Sequence, residues 1–495
     1  MVIGVGRCGP AAANTASKQS ADTTETTTPR TRRRDMIETT QDSFSPTRLP
    51  AMAWLAIAIA ALGGILYGYD IGIIAGALVF MKGALSLSAS EMSLIVAAVL
   101  GGGSLATLIG GPIADAIGRK ATLLISGAVF AIGVIVTAMA AGYAGALGGR
   151  LIQGIGVGLV TIVVPLYLVE VMPPAVRGRS VTLFQLFLTF GILAGYLVGY
   201  FFNASGDWRA MFITALAPAV AFVLLGLALP KSPRWLIKKG RPSEARAALA
   251  RTHSAAETES TFNELAAQTD EEGVAARWSL LLAPGYRRAF FLALAIGLLN
   301  QLTGINTLLQ FNTVILDQSG LSGGATAVLG SVTVGLTNFV VTIVGLMLID
   351  RVGRRPLLIL GTAGATVALA FMALIHLLTT ASAFQGYATL AGLIGFVVFF
   401  AIGPGIVVWL AISEVLPLAI RAKGMAVALF ANSLMSAILA AVFMDIVSVA
   451  GYAGAFGLLA IAVFVYMLVA IIPLPETKGR KLEEIETHFL GEAHG

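Results

Sequence analysis

Long uncharged stretches constrain the fold of this chain more than any other feature. A helix needs roughly 20 apolar residues to cross a bilayer core about 30 Å thick, so each stretch can hold one membrane span or two. The whole sequence is 57% hydrophobic and 12% charged, whereas soluble domains carry about 25% charged residues. A soluble globular fold is therefore excluded. Stretches without Asp, Glu, Lys or Arg include 121–149, 180–206, 210–230, 289–316, 318–349 and 356–413.

Dividing the apolar segments at Gly, Pro and polar breaks predicts twelve membrane helices. A polar and charged segment from 232 to 288 separates the sixth span from the seventh. The predicted fold is an all-α membrane protein with two six-helix bundles. The predicted spans are 53–80, 92–112, 121–140, 148–170, 180–202, 210–230, 288–314, 325–349, 356–379, 386–412, 423–445 and 451–473.

The same division predicts the domain organisation. Residues 1–50 are rich in Ser, Thr and Ala and have no apolar core of a signal peptide, so we expect a disordered cytoplasmic tail. The remaining predicted segments are an N-terminal six-helix bundle at 51–230, a cytoplasmic linker at 231–287, a C-terminal six-helix bundle at 288–474 and a cytoplasmic tail at 475–495.

The basic residues predict how the chain lies in the membrane. Lys and Arg in short loops mark the cytoplasmic face, and twelve spans put both termini on one face. We expect that face to be cytoplasmic, in a plasma or inner membrane, because nearly all of the 32 Lys and Arg then lie inside. The net charge of +6 follows from this topology and gives no reason to expect a nucleic-acid partner. The single cysteine, Cys8, excludes a disulfide within the chain.

Charged landmarks of the first half recur in the second. An Asp-x-x-Gly-Arg pattern begins at Asp115 and recurs 235 residues later, and a Glu and an Arg seven residues apart begin at Glu170 and recur 244 residues later. Matched landmarks in this order predict two parallel six-helix repeats with the substrate between them. We expect the acids and bases to pair across the two halves and close the cytoplasmic side. The predicted gate residues are Asp115, Arg119, Glu170, Arg177, Asp350, Arg354, Glu414 and Arg421.

Short motifs along the chain carry a family resemblance. They are GGILYGYD at 63–70, Gly149-Arg150, SPRWL at 232–236, QLTGIN at 301–306, Gly403-Pro404-Gly405 with Trp409, and PETKG at 475–479. From about Trp54 to about Glu484 the chain resembles the sugar porter family of the major facilitator superfamily. The resemblance implies the major facilitator fold, with its pseudo-twofold symmetry. It also implies transport of a small-molecule sugar by a protein that is not an enzyme, with no metal and no cofactor beyond a coupling proton.

The resemblance also implies which residues contact the sugar. A side-chain amide both donates and accepts hydrogen bonds, as sugar hydroxyls do, and an indole offers an apolar face with one N–H donor. The positions that match the family's sugar contacts are Gln185, Gln301, Asn306, Asn338, Gly405 and Trp409.

Several pocket positions depart from the family's pattern. Asn300 stands where a Gln is usual, Gln310 and Phe311 where two tyrosines are usual, and Ser433 where a Trp is common. We include Asn300 and the neighbouring Asn432 among the predicted substrate-binding residues. These departures predict a sugar pocket whose shape and hydrogen-bonding groups differ from the family's usual pocket. A pentose, a hexose and a polyol such as inositol are all possible substrates.

Asp70 is the residue that says most about mechanism. A carboxylate inside a membrane span costs about 2.5–3.5 kcal/mol at a helix centre and is by default functional, with a partner. At 1.5 Å per residue, Asp70 lies roughly 24 Å from the cytoplasmic end of its helix and Arg150 roughly 30 Å from the same face. Their similar depth predicts that the two residues form a pair. Asp70 would carry the proton, and Arg150, which stays charged, would modulate the pKa of Asp70.

These features predict a secondary active transporter that imports a monosaccharide by proton symport through alternating access. The resemblance supports symport, because a proton-linked xylose symporter of the family has an Asp at the place of Asp70, whereas facilitative glucose transporters have a neutral residue there. A facilitative sugar or polyol uniporter is the alternative, followed by a sugar sensor that does not transport. The sequence leaves the oligomeric state open.

Overall fold

The computed structural model describes residues 50–271, 278–321 and 325–479, and within these ranges it is helical with no β-strand. Its helices are α1 Ala51–Ala84, α2 Ala89–Ile117, α3 Arg119–Ala138, α4 Tyr143–Val171, α5 Pro174–Phe201, α6 Trp208–Ile213, α7 Leu216–Ala228, α8 Pro233–Lys238, α9 Pro242–Leu249, α10 Ala255–Glu271, α11 Arg287–Leu302, α12 Ile305–Gln318, α13 Ala325–Val352, α14 Arg354–Leu378, α15 Ala383–Ile402, α16 Pro404–Val415 and α17 Leu418–Ile471.

The described helices supply the predicted twelve spans. Eleven segments are long and apolar enough to cross a bilayer, and the last of them, α17, is 54 residues long. At Gly451 the backbone of α17 leaves the helical region, with φ 66° and ψ 176°, so this segment holds two spans. Three other spans are interrupted, at Thr214 between α6 and α7, at Gly304 between α11 and α12, and at Gly403 between α15 and α16.

The recurring Asp-x-x-Gly-Arg pattern has the same backbone structure at both places. Gly118, between α2 and α3, has φ +94°, and Gly353, between α13 and α14, has φ +105°. Residues other than glycine rarely adopt a positive backbone angle φ of this size. An added Cβ would also lie 3.1 Å from the Trp235 ring at Gly118 and 2.9 Å from the Glu476 carboxylate at Gly353. The sequence repeat therefore encodes the same tight helix-to-helix turn in both halves.

Glycines bring α1 and α5 into backbone contact. An added Cβ would lie 1.8 Å from the Leu188 carbonyl oxygen at Gly68, and contacts of 2.4 and 2.3 Å to other α5 carbonyl oxygens would arise at Gly64 and Gly72. In membranes such small residues at four-residue spacing allow close helix packing. The contact fixes the part of α1 that carries Asp70.

The most extensive contacts between the first seven helices and the last seven are those of α2 with α17, α5 with α13, and α1 with α12. The Ser90 hydroxyl donates to Asp445 at 2.5 Å, and the Tyr196 hydroxyl donates to the Leu309 carbonyl at 2.7 Å. Both bonds lie toward the end of the molecule where α2 begins. We call the other end, where α3 and α14 begin at Arg119 and Arg354, the basic end.

The segment between α7 and α11 is itself helical. Helices α8, α9 and α10 pack around a small apolar core that includes Leu236, Leu249 and Phe262. The predicted domain boundaries remain a prediction. The predicted N-terminal tail, apart from residue 50, and the C-terminal tail beyond residue 479 lie outside the described residues.

Candidate functional site

A polar cavity lies between helices of the two halves. Its empty space is about 420 Å³, including the part open to solvent. Each half contributes small or hydroxyl-bearing residues, and the second half adds three amides. The lining residues are Tyr67, Val99, Leu100, Gly103, Thr107, Val157, Gly158, Thr161, Gln301, Asn306, Asn432, Ser433 and Ser436.

Asn306 is the centre of a hydrogen-bonded group in this cavity. Its amide nitrogen donates to the Gln301 side-chain oxygen at 3.1 Å and to the Ser436 hydroxyl at 3.0 Å. The break at Gly304, where φ is +83°, lies between Gln301 and Asn306 and separates α11 from α12. This break turns the two amides toward one another although they are five residues apart.

Three further amide oxygens near this group have unused hydrogen-bonding capacity. Within the described residues, no donor lies in hydrogen-bond distance of Asn300 Oδ1, Gln310 Oε1 or Asn432 Oδ1, and all three atoms are buried. A buried acceptor without a donor costs about 1–3 kcal/mol. Of the three residues, Asn432 lines the cavity, so a ligand with hydroxyl groups there can supply the donor that its oxygen needs.

Five of the eight predicted substrate-binding residues do not line this cavity, and Asn300, which is buried on α11, is one of them. Asn338 is buried on α13, and Gln185 is half-buried on α5. Trp409 packs against an apolar cluster of the second half, and an added Cβ at Gly405 would lie 3.0 Å from the Phe400 ring. The structure therefore brings together Gln301, Asn306 and Asn432. Tyr67, Thr107 and Thr161 also line the cavity, although none of them is among the positions that match the family's sugar contacts.

Asp70 and Arg150 are in contact, as their predicted depths require. Arg150 Nη1 lies 2.5 Å from Asp70 Oδ1, and the two side chains are 0% and 1% exposed, which is the burial that a functional intramembrane pair needs. The Arg150 guanidinium also stacks on the Phe212 ring at 5.7 Å. Tyr67, which lines the cavity, precedes Asp70 by three residues and thus lies on the same face of α1. The pair is one helical turn from the cavity.

A buried amide that the sequence analysis missed also contacts this pair. Arg150 Nη1 donates to Gln153 Oε1 at 3.2 Å, and the Thr137 hydroxyl donates to the same oxygen at 3.3 Å. Its sequence signal is a glutamine inside an apolar run, three residues after an intramembrane arginine.

At the basic end, the charged residues of the first half form one cluster. Arg119 Nε lies 3.0 and 2.9 Å from the two carboxylate oxygens of Glu170, and its Nη1 lies 2.7 Å from Asp115. The Ser232 hydroxyl also donates to Glu170. Arg119 further donates to the carbonyl of Ala114, in the last turn of α2.

The second half has a corresponding cluster. Arg354 Nε lies 3.3 Å from Glu414, whose carboxylate also accepts a hydrogen bond from Thr477. The backbone N–H groups of Arg354 and Arg355 donate to the Glu476 carboxylate at 3.2 and 3.1 Å. That carboxylate therefore caps the start of α14.

The predicted pairing of these charges across the two halves is not seen among the ion pairs of the described residues, and it stays a prediction for the closed cytoplasmic side. Every described ion pair among the predicted gate residues joins members of one half. The reason is that each arginine also satisfies carbonyls at the end of the preceding helix of its own half, and Arg421 does the same with the Leu416 carbonyl at 3.1 Å. The side chains of Arg177 and Asp350 lie outside the described residues.

Twelve apolar spans around a polar cavity, with a buried ion pair one turn away, define a membrane transporter. Residues 56–489 match the family model described as sugar (and other) transporter. The chain is 30% identical to the galactose-proton symporter of Escherichia coli (strain K12), with 89% of this chain and 95% of the symporter covered. It is 32% identical to the human proton myo-inositol cotransporter, with 92% and 84% covered.

Solved structures agree with these sequence matches. The inward-open structure of the xylose transporter XylE from E. coli matches with a TM-score of 0.76 and 26% identity, covering 88% of this chain and 99% of that one. The chain belongs to the sugar porter family of the major facilitator superfamily. It is therefore a multi-pass sugar transporter of the plasma membrane and not an enzyme, and sugar porters use no cofactor.

Proposed function

We propose that this protein imports a monosaccharide, a pentose or a hexose, by proton symport, with Asp70 as the proton carrier and Arg150 as its partner. The observation that carries the proposal is the fully buried Asp70–Arg150 contact one turn from Tyr67 in the cavity wall. A carboxylate buried in a membrane span is costly unless it is paired, so its retention favours a functional role. Arginine stays charged, whereas aspartate takes up a proton when its partner is withdrawn.

The location of Asp70 supports coupling to the substrate. Tyr67 and Asp70 share one face of α1, and α1 packs backbone to backbone against α5 through Gly68. A movement of Tyr67 on substrate binding is then transmitted to Asp70 by a stiff helix. Release of Asp70 from Arg150 would allow protonation, and the pair would re-form after the proton leaves toward the cytoplasm.

The substrate class follows from the donors and acceptors of the cavity. Gln301, Asn306, Ser436 and Asn432 offer both, and the unpartnered oxygen of Asn432 suits a hydroxyl donor. Alternating access requires that the bundles 51–230 and 288–474 rock about this cavity. The basic end would be the cytoplasmic side, which would also hold both termini. The charge clusters there would exchange partners when that side closes.

A second candidate is facilitated transport of a sugar or polyol without a coupled proton. The relationship to a protein named as a myo-inositol cotransporter, together with the recut position Asn300, favours including cyclic polyols among the substrates. In that case Asp70 and Arg150 are a structural pair that holds α1 against α4. A sugar sensor without transport is the third candidate.

Purified protein in sealed liposomes distinguishes these candidates. Uptake of labelled pentoses, hexoses and inositols is measured with and without an imposed acid-outside gradient. Symport predicts that one substrate accumulates above its external concentration, and that a protonophore abolishes the accumulation. Equilibration to the external concentration in both conditions indicates a facilitator, and binding without uptake indicates a sensor.

A further inference from the structure

We propose that Gln153 is a positioning residue of the proton-coupling pair: its amide oxygen holds the Arg150 guanidinium in place while Asp70 carries the proton. This inference rests on the proposed symport. It assigns to α4 a second residue, one turn after Arg150, that gives the arginine an acceptor which does not depend on the charge or position of Asp70.

The hydrogen bonds converge on one atom of the guanidinium. Arg150 Nη1 donates both to Asp70 Oδ1 at 2.5 Å and to Gln153 Oε1 at 3.2 Å. Within the described residues, Arg150 Nε and Nη2 have no hydrogen-bond partner. Once Asp70 is protonated and released from Arg150, Gln153 is therefore the acceptor that this buried cation keeps.

Packing holds Gln153 in this position. The residue is 1% exposed, and an added Cβ at Gly133 would lie 2.4 Å from its backbone nitrogen and 2.7 Å from its Cγ. The Thr137 hydroxyl donates to Oε1 from α3 at 3.3 Å. A donor on the same oxygen keeps it turned toward the guanidinium, since an amide nitrogen there would face both Thr137 and Arg150 as donors.

The energetic role follows from the fixed charge of arginine. Burying a cation without an acceptor is expensive, and hydrogen bonds to charged groups are the strong ones. An acceptor that is present in both states lowers the penalty of protonating Asp70, because the guanidinium is not left without a partner. Gln153 therefore sets the pH at which the pair separates, without carrying a proton itself.

Few other titratable groups face this pair from the described helices that pack around it. On α1 the neighbouring tyrosines are Tyr67 and Tyr69, and the latter is hydrogen-bonded to Thr214. Other charged or titratable groups on these helices lie at helix ends or are bonded elsewhere. Tyr196 on α5 donates to the Leu309 carbonyl. The groups at helix ends include Tyr143 at the start of α4, Asp207 and Arg209 at the exposed start of α6, and Arg119 and Lys120 at the start of α3. None of these removes the need for a neutral acceptor beside Arg150.

The test measures how substrate accumulation depends on external pH in liposomes containing the full chain. In Gln153→Leu the midpoint of this dependence moves to lower pH by about one unit, a tenfold higher proton concentration. In the nearly isosteric Gln153→Glu it moves to higher pH, because a second carboxylate compensates Arg150 once Asp70 is neutral. The matched control is Gln385→Leu, a buried amide on α15 that bonds to the Thr379 carbonyl, and its midpoint stays unchanged.

Opposite shifts of the two Gln153 variants support the proposal, and a lower rate with an unchanged midpoint in both overturns it. If Gln153→Leu does not fold, an unchanged midpoint in Gln153→Glu alone overturns it. Asp70→Asn separates this inference from the function on which it rests. Loss of accumulation in Asp70→Asn together with unshifted Gln153 variants refutes only the role of Gln153, whereas normal accumulation in Asp70→Asn refutes the symport itself.

Discussion

The backbone contact between α1 and α5 makes a strong prediction about Gly68. In Gly68→Ala, the new Cβ would lie 1.8 Å from the Leu188 carbonyl oxygen and 2.8 Å from the Ile192 nitrogen. Non-bonded heavy atoms are comfortable near 3.5 Å, so the two helices must separate by roughly 1.5 Å or more. Overpacking of this kind costs about 1–3 kcal/mol. Asp70 follows Gly68 by two residues on α1, so a helix shift of this size would also disturb its 2.5 Å contact with Arg150.

Gly83→Ala is the matched control, because it lies on the same helix and nothing stands within 4 Å of its added Cβ. Thermal unfolding of both variants in detergent and sugar uptake in liposomes are measured together. We expect Gly68→Ala to unfold at a lower temperature and to lose most uptake, and Gly83→Ala to match the unsubstituted protein. Equal stability and uptake in the two variants would refute the proposed close packing.

Two further substitutions test the cavity and the basic end. Asn306→Ala removes a lining amide, and we expect the apparent affinity of this variant for the transported sugar to fall about tenfold, equivalent to about 1.4 kcal/mol. The control is Asn263→Ala, which removes an exposed amide on α10 and should leave the affinity unchanged. Equal affinities in the two variants would exclude Asn306 from the site. Glu170→Gln removes the buried carboxylate beside Arg119 and leaves the exposed Asp115 as its acidic partner, so it should destabilise the protein by about 2 kcal/mol. Glu244→Gln, in an exposed ion pair, should cost less than about 1 kcal/mol. Similar unfolding temperatures for both variants would contradict the burial argument.

The spans and the repeat could be predicted from the sequence because both leave one-dimensional signals. Uncharged stretches mark the helices, and the pattern at Asp115 and Asp350 marks equivalent helix ends. The breaks at Gly304 and Gly403 were not predicted, since a glycine within an apolar run is compatible with a continuous helix. Only the backbone angles of the folded chain distinguish the two cases.

The candidate site was predictable in part, for a physical reason. Asp70 and Arg150 are charges at similar depth in an apolar medium, and such charges need one another. Gln153 was missed because a neutral amide in a span has many possible partners. The pairing of gate charges across the halves stays a prediction, because sequence identifies opposite charges without showing which carbonyls each arginine already satisfies, as Arg119 does at the end of α2.

The central claim is that Asp70 couples sugar transport to protons, and accumulation by Asp70→Asn tests it most directly. Asparagine keeps the size of the side chain and an oxygen for Arg150 but cannot carry the proton. In liposomes with an acid-outside gradient, we expect this variant to lose accumulation of labelled sugar above the external concentration while still exchanging internal for external sugar. Accumulation equal to that of the unsubstituted protein would contradict the account.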